Sequence, residues 1–231
     1  MTLFCISQDG KIASFAADEM IRIWENGELV STWQMVGVVD LVWSPDGNKL
    51  MAVSLETLKF WHGDAWEVQS DLTEIVSAQW KNNFEYSVVT SKAVWLCRFD
   101  FSKCILEEPC TCARWNKQNT VLGLVCNNRL GLYTETSEVW WISVRITQFD
   151  FAPIEGIIVT GGFAGEIQFW DLERRVILKS FQGHEGKILR IMHRGDGEFI
   201  ATMGSDGVLH IWKAEECIKV KSFVIEDVAD L

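Results

Sequence analysis

The sequence predicts an all-β fold made of six similar four-stranded units, and two periodic series of aromatic residues are the main reason. Tryptophan is unusually frequent, with 12 among 231 residues. One series closes short segments of alternating apolar residues and recurs every 34 to 42 residues, at Trp24, Trp61, Trp95, Tyr133, Trp170 and Trp212. The second series is out of phase with the first, with steps of 35 to 42 residues, at Trp43, Trp80, Trp115, Phe151 and His193. Two markers with a common period indicate an internal repeat.

Each unit contains the same elements in the same order: four apolar segments of strand length, separated by polar turns. The last unit shows them most clearly, at Ile188 to His193, Phe199 to Gly204, Val208 to Trp212 and Cys217 to Phe223. Its turns, Arg194-Gly-Asp-Gly197 and Ser205-Asp-Gly207, are rich in residues that tolerate the positive φ of tight hairpins. Four strands in about forty residues, repeated along the chain, predict a β-propeller.

We interpret residues 1–231 as a single propeller of six blades. The blades span roughly 1–35, 36–72, 73–108, 109–144, 145–183 and 184–224, and a short acidic tail follows at 225–231. The first blade begins directly with its first strand, at residues 2–7, and nothing precedes that strand except Met1.

The last units resemble WD repeats. The stretch Ser180-Phe-Gln-Gly-His184, followed by Ser205-Asp-Gly207 and Ile211-Trp212, has the pattern of a nearly complete repeat. Phe169-Trp-Asp171 keeps the Trp-Asp dipeptide. This resemblance implies a structural tetrad in which a His, a Ser or Thr, an Asp and a Trp hydrogen-bond to one another. The matching positions are His184, Thr202, Asp206 and Trp212.

The other blades keep less of this tetrad. The first blade has a partial set, Ser14, Asp18 and Trp24. The middle blades have other residues six positions before the aromatic, where the Asp is expected: Leu55, Val89, Asn127 and Ala164. A buried carboxylate and imidazole are costly unless each satisfies the other. We therefore expect the middle blades to be held together mainly by packing.

The first blade raises a question about ring closure. The resemblance implies closure by an N-terminal strand added to the last blade, and this chain offers no residues for such a strand. The ring is therefore expected to meet blade to blade, to stay open or incomplete, or to accept a strand or blade from a partner. A sequence that lacks its start is the alternative.

Nothing in the sequence indicates an enzyme, a cofactor or a metal site. Cys110-Thr-Cys112 lacks the paired Cys-x-x-Cys spacing of zinc ligands, and no His lies near it. No Gly-x-Ser-x-Gly elbow is present for a nucleophile. The glycine-rich stretch Gly161-Gly-Phe-Ala-Gly165 joins two strands and precedes no helix that could bind a phosphate. We read it as a blade turn.

The charge and the composition limit the classes of binding partner and the cellular compartments that are expected for this protein. The formal net charge is −11, so direct binding of nucleic acid is not expected. No apolar run is long enough to insert in a membrane, and no secretory signal is present. The seven cysteines are then expected to be mostly reduced thiols. We predict an intracellular protein, with the nucleus preferred to the cytoplasm.

The remaining function class is a non-enzymatic scaffold that binds other proteins of a multi-subunit complex. Four tryptophans lie outside both periodic series and are candidate partner-binding residues: Trp33, Trp66, Trp140 and Trp141. Tryptophan is enriched at the centres of protein interfaces, and we expect two of the four to be exposed. The acidic charge favours basic peptides, histone tails included, as partners.

Within the WD repeats, two stretches resemble the transducin-β-like subunits of histone-deacetylase corepressor complexes. The first consists of residues 75–84 followed by residues 90–97, and the second is residues 23–33. This resemblance implies a nuclear scaffold that connects a deacetylase complex to chromatin. That group has eight blades and an N-terminal dimerisation segment, unlike this chain. The alternatives are an open-propeller subunit of a coat or nuclear-pore scaffold, or an adaptor in ubiquitin ligation, ribosome assembly or RNA processing.

Overall fold

A computed structural model confirms the predicted all-β, six-bladed fold class. It describes residues 3–63, 65–69, 72–99, 101–135, 137–142 and 144–225. Within these ranges, 24 strands form six antiparallel sheets of four strands each, and every sheet is built from consecutive strands. This order within a sheet is that of a propeller blade. The predicted acidic tail beyond Ile225 lies outside the described residues.

The chain divides into two compact units, Met1–Ala113 and Arg114–Leu231. The first contains sheet one, with β1 (Leu3–Ile6), β2 (Ile12–Phe15), β3 (Met20–Glu25) and β4 (Glu28–Gln34). It also contains sheet two, with β5 (Val38–Trp43), β6 (Lys49–Ser54), β7 (Leu58–His62) and β8 (Ala65–Gln69). Sheet three has β9 (Ile75–Trp80), β10 (Glu85–Thr90), β11 (Val94–Arg98) and β12 (Phe101–Leu106).

The boundary between the units falls within β13 (Cys110–Trp115), the first strand of sheet four. Sheet four continues with β14 (Val121–Cys126), β15 (Arg129–Thr134) and β16 (Ser137–Ile142). Sheet five has β17 (Ile146–Phe151), β18 (Ile157–Gly162), β19 (Glu166–Asp171) and β20 (Val176–Gln182). Sheet six has β21 (Ile188–His193), β22 (Phe199–Gly204), β23 (Val208–Lys213) and β24 (Ile218–Val224).

The Asp-Gly turns join the first and second strands of several sheets, as the sequence predicts. Between β5 and β6, the Asp46 carboxylate accepts hydrogen bonds from the Ser44 hydroxyl (2.6 Å) and the Asn48 backbone N–H (3.1 Å). Gly47 follows with φ of +70°, which favours glycine. A Cβ atom at Gly47 would also lie 2.7 Å from the Asp9 carboxylate. The turn therefore depends on the Asp46 carboxylate as an acceptor and on Gly47 for its positive φ and its lack of a Cβ atom.

The hydrophobic core lies between successive sheets. Ile21 and Ile23 on the third strand of sheet one share a buried cluster with Leu41 and Leu50, on the first two strands of sheet two. The same arrangement recurs in the second unit, where residues of β19 share a cluster with residues of β21 and β22. The third strand of one sheet thus covers the first two strands of the next sheet.

Candidate functional site

The structure brings the four residues of the predicted tetrad together in sheet six. The His184 Nδ1 lies 3.0 and 3.1 Å from the two carboxylate oxygens of Asp206. Its Nε2 lies 2.8 Å from the Thr202 hydroxyl. Trp212 Nε1 donates to the same hydroxyl at 2.8 Å. With a proton on Nδ1, every donor in this chain meets an acceptor, from the indole through the hydroxyl and imidazole to the carboxylate.

Local electrostatics keep Asp206 ionised. Burial alone would raise the pKa of this carboxyl, but backbone N–H groups of Glu185 and Val208, each at 3.1 Å, together with His184, hold the pKa below its usual value. Gly204 leaves the space that the pair needs, because a Cβ atom there would lie 2.5 Å from both Asp206 and His184. The four groups of the tetrad satisfy one another, and this arrangement suits a structural role.

Sheet five contains half of the same network, which the sequence analysis missed. Trp170 Nε1 donates to the Thr160 hydroxyl at 3.1 Å, and both side chains are buried. Thr160 precedes Trp170 by ten residues, as Thr202 precedes Trp212. That spacing was the signal that could have identified the pair. Ala164 stands where the Asp would be, so the network ends at the threonine.

The partial set in sheet one is arranged differently. Asp18 accepts hydrogen bonds from Arg22, one of them at 3.2 Å, and from the Met20 backbone N–H at 3.2 Å. Arg22 therefore binds the Asp18 carboxylate, whereas in sheet six a histidine binds the carboxylate at the matching position. Among the described residues, Ser14 and Trp24 share no hydrogen bond, and both are partly exposed.

Two of the four candidate tryptophans contact each other, and the other two each contact an arginine. Trp33 and Trp66 have ring centroids 6.0 Å apart. Trp140 lies under the Arg175 guanidinium (4.5 Å), and Trp141 under that of Arg129 (4.4 Å). The expectation that two of the four are exposed is wrong. Only Trp33 among them is exposed, at 40% of its surface, and the other three are half-buried because neighbouring side chains cover them.

A groove in the second unit is a candidate binding site that the sequence analysis did not identify. It has a volume of about 520 Å³ and lies between sheets five and six. Its apolar lining includes the buried Phe169, the partly buried Ile157, and the exposed Ile154 and Leu178. Its charged lining consists of four acidic and two basic residues: Asp196, Glu198, Glu215, Glu216, Lys179 and Lys213. We call it the acidic groove.

Ion pairs set the charge distribution at the rim of the acidic groove. Arg194 contacts both Asp196 and Glu198, each at 2.6 Å. Lys213 lies 3.1 Å from Glu216. All these side chains are substantially exposed. Exposed ion pairs contribute little to stability, so their carboxylates can exchange partners at small cost.

A partly buried polar contact holds His193, one of the residues that line the acidic groove. The His193 backbone N–H donates to the Asp150 carboxylate at 2.7 Å, and the imidazole Nδ1 of His193 lies 3.3 Å from it. Arg114 lies 3.3 Å from the other oxygen of Asp150. The Asp150 carboxylate on β17 thus holds His193 of β21, which lines the groove, in place.

The cysteines and the acidic residues do not form a metal site within the described residues, where no group of three His, Cys, Asp or Glu side chains is close enough to hold an ion. Five cysteines are free, and Cys110 and Cys126 are disulfide-bonded. Burial raises the pKa of the Cys97 thiol to about 12, so this thiol is a poor nucleophile. In the described part of the chain, no helix is both long and apolar enough to cross a membrane.

Comparisons with known proteins agree with this architecture. Residues 175–213 match the sequence profile of the WD domain, G-beta repeat family. The C-terminal WD40 domain of Sif2 has a similar structure, with a TM-score of 0.80 and 14% sequence identity over 99% of this chain and 72% of that one. Pre-mRNA-processing factor 19 homolog 2 of Arabidopsis thaliana is 31% identical over 85 residues. That match covers 37% of this chain and 16% of the Arabidopsis protein.

Proposed function

Because the chain has the fold of a WD40 domain and carries a WD repeat at residues 175–213, we propose that it is a non-enzymatic interaction scaffold. WD40 domains generally bind other proteins, and the acidic groove is the feature of this chain that best suits that role. We propose that it binds an extended segment of a partner protein in which an apolar side chain lies beside basic residues.

Exposed aliphatic side chains support the proposal that the groove binds an apolar side chain of the partner. Ile154 and Leu178 are exposed at the groove although both are large aliphatic residues. The buried Phe169 and the partly buried Ile157 also line the groove. An apolar side chain of a partner that enters the groove would remove these surfaces from water, which is the main source of affinity in protein interfaces.

The negative charge of the groove and of the whole chain supports the proposal that the partner segment carries basic residues. The rim has more carboxylates than lysines, and the whole chain has a formal net charge of −11. Lys or Arg residues of a partner would replace exposed intramolecular partners of Asp196, Glu198 or Glu216. The negative field of the chain would also accelerate the encounter at low salt.

Two more specific assignments follow from the sequence and from the relatives. The resemblance of residues 23–33, 75–84 and 90–97 to corepressor subunits favours a nuclear complex on chromatin, with histone tails as basic partners. The match of 85 residues to a pre-mRNA-processing factor favours an adaptor in RNA processing. Both assignments imply a nuclear location.

The test is calorimetric titration of the purified chain with synthetic peptides that contain one Leu flanked by Lys and Arg. Binding is expected at low salt, and weaker binding at high salt. Ile154→Asp and Glu198→Lys are each expected to weaken binding by about tenfold or more. Val36→Asp is the matched control, because Val36 is as exposed as Ile154 but lies in the first unit, outside the groove.

Equal losses in the groove variants and the control would refute the acidic groove as the site. Peptides in which Glu replaces Lys and Arg serve as a second control and are expected not to bind. Affinity purification of the full chain with mass spectrometry then separates the two nuclear assignments, because deacetylase subunits support the first and RNA-processing factors support the second.

A further inference from the structure

The turn between β18 and β19 in sheet five carries an exposed phenylalanine that lies between two basic residues. Phe163 keeps 40% of its surface exposed. The Arg145 guanidinium, just before β17, lies 5.5 Å from the centre of this ring. The Lys187 ammonium, just before β21, lies 5.7 Å from it. All three residues belong to the second unit, and we call them the basic cluster.

No carboxylate neutralises the basic cluster. Within the described residues, no Asp or Glu side chain forms an ion pair with Arg145 or Lys187. Glu166 in the same hairpin accepts a hydrogen bond from the Ala164 backbone N–H at 2.9 Å instead. Arg194 also lies over a phenylalanine ring, but it contacts two carboxylates. Two like charges beside one ring repel each other, and an anion bound between them would remove this repulsion.

Contacts of the backbone hold the parts of the basic cluster in place. The buried Thr147 hydroxyl donates to the Ile188 carbonyl at 2.6 Å and lies 3.1 Å from the Gly161 carbonyl. It therefore connects the start of β17 with the end of β18 and the start of β21. Gly165 has a φ of +88°, and a Cβ atom there would collide with the His184 carbonyl oxygen. A site that is fixed in this way loses little conformational entropy when a ligand binds.

The basic cluster and the acidic groove lie at opposite ends of the same strands. β17 begins directly after Arg145 and ends just before Ala152, which lines the groove. β21 begins directly after Lys187 and ends with His193, which also lines the groove. The second unit thus presents opposite charges at two separate sites, and these sites favour ligands of opposite charge.

We infer that the basic cluster binds a segment of a partner protein in which a large apolar side chain lies next to Asp or Glu residues. The Arg145 guanidinium is a planar fork that can bind both oxygens of a carboxylate, and Lys187 supplies a second positive charge. Phe163 supplies the apolar surface beside them. A nucleic acid is not the expected ligand, because the formal net charge of −11 repels a long polyanion.

The experiment is a fluorescence anisotropy titration of labelled synthetic peptides, each with one Phe flanked by Asp and Glu, with the purified full chain. Binding is expected at low salt, and weaker binding as the salt concentration rises. Arg145→Glu and Lys187→Glu are each expected to weaken binding by about tenfold or more. Phe163→Ser is expected to weaken it without a change of charge. All three side chains are exposed, and circular dichroism checks that the variants fold.

Lys221→Glu is the matched control. Lys221 lies 4.7 Å from the ring centre of Phe223, which is 42% exposed, on β24 of the same unit. The control therefore makes the same change of charge beside a similar ring, but outside the basic cluster. It is expected to bind the acidic peptides as the wild type does.

Three outcomes would overturn the inference. Equal losses in Lys221→Glu and Arg145→Glu would show that the peptides respond only to the overall charge. Unchanged binding by Arg145→Glu and Phe163→Ser would place the peptides elsewhere on the chain. A labelled single-stranded RNA that binds more tightly than the acidic peptides, with the same loss in Arg145→Glu and Lys187→Glu, would make the basic cluster a nucleic-acid site.

Discussion

Sheets two and six each have a tryptophan at the same position of the strand pairing, but the two tryptophans differ in the hydrogen bonding of the indole N–H group. Trp61 lies opposite Leu50 in sheet two, and Trp212 lies opposite Ile200 in sheet six. Both indoles are buried. Trp212 donates to Thr202, whereas the counterpart of Thr202 in sheet two is Ala52, and Trp61 Nε1 has no hydrogen-bond partner among the described residues. The repeat therefore forms with or without this hydrogen bond.

Sheet two relies on aromatic packing in place of the tetrad. Trp43 meets Trp61 edge to face with centroids 5.9 Å apart, and Trp66 packs against the same cluster. The indole nitrogens of Trp43 and Trp66 are also buried without partners in the described part of the chain. An unsatisfied polar group costs about 1–3 kcal/mol, and burial of a large aromatic with edge-to-face contacts offsets a cost of that size. The same four-stranded geometry is thus stabilised by aromatic packing in sheet two and by the hydrogen-bonded tetrad in sheet six.

The largest difference between the two sheets is expected at the position of Asp206. Asp206→Ala should lower the free energy of unfolding by ~2–4 kcal/mol, because the buried His184 imidazole and the backbone N–H groups of Glu185 and Val208 lose their acceptor. Leu55→Ala at the matching position of sheet two should change it by no more than about 0.5 kcal/mol, since Leu55 is exposed. Urea unfolding of both variants measures the difference. Equal effects would show that the tetrad adds nothing to sheet six.

A smaller difference is expected at the two tryptophans. Trp212→Phe and Trp61→Phe remove the same ring atoms, but only the first breaks a hydrogen bond and leaves Thr202 short of a donor. We expect Trp212→Phe to cost about 1–2 kcal/mol more than Trp61→Phe. Thermal unfolding of the pair, monitored by circular dichroism, gives this value. A greater loss for Trp61→Phe would mean that packing in sheet two depends on the full indole.

The smallest effect is the pH dependence of sheet six. The pKa of Asp206 is lowered in the folded chain, so its carboxylate stabilises the fold above the ordinary Asp pKa of 3.8, and this stabilisation is lost as the pH falls through the lower folded value. Asp206→Asn should therefore be less stable than the wild type at neutral pH, and the gap should close in acid.

Hydrogen exchange of the β22 and β23 amides, measured from pH 6 to pH 3 in both proteins, tests this expectation. The amides of β6 and β7 in sheet two are the internal control, because Ala52 and Leu55 stand there in place of Thr202 and Asp206 and cannot titrate. A gap in sheet six that stays constant over this pH range would contradict the proposed role of the Asp206 charge.

Several features were predictable from the sequence because they depend on short spacings. The aromatic periods gave the six units, and the Asp-Gly pairs marked turns such as that of Gly47. The tetrad of sheet six followed from the match to WD repeats. The Thr160 and Trp170 pair has the same spacing as Thr202 and Trp212, but the sequence analysis did not identify it, because Ala164 replaces the Asp by which such a network is recognised.

The exposure of tryptophans could not be predicted in the same way. Trp33 and Trp66 both lie on the fourth strand of their sheets, yet one is exposed and the other is half-buried. The difference depends on what the adjacent sheet places over each ring, and Trp66 packs against the cluster formed by sheets one and two. The periodicity of a single strand carries no information about that cover.

The sequence by itself determined the strands, their turns and the network of sheet six, because these depend on residues close together in the chain or at a fixed repeat distance. Only the tertiary structure decided which apolar faces are covered. Phe4 and Ile191 have the same place in their sheets, yet Phe4 is exposed and Ile191 is buried. The acidic groove likewise unites Ile154, Leu178 and Glu216 from distant segments. Burial is a sum over all neighbours in space, and a local pattern specifies only the neighbours along the strand.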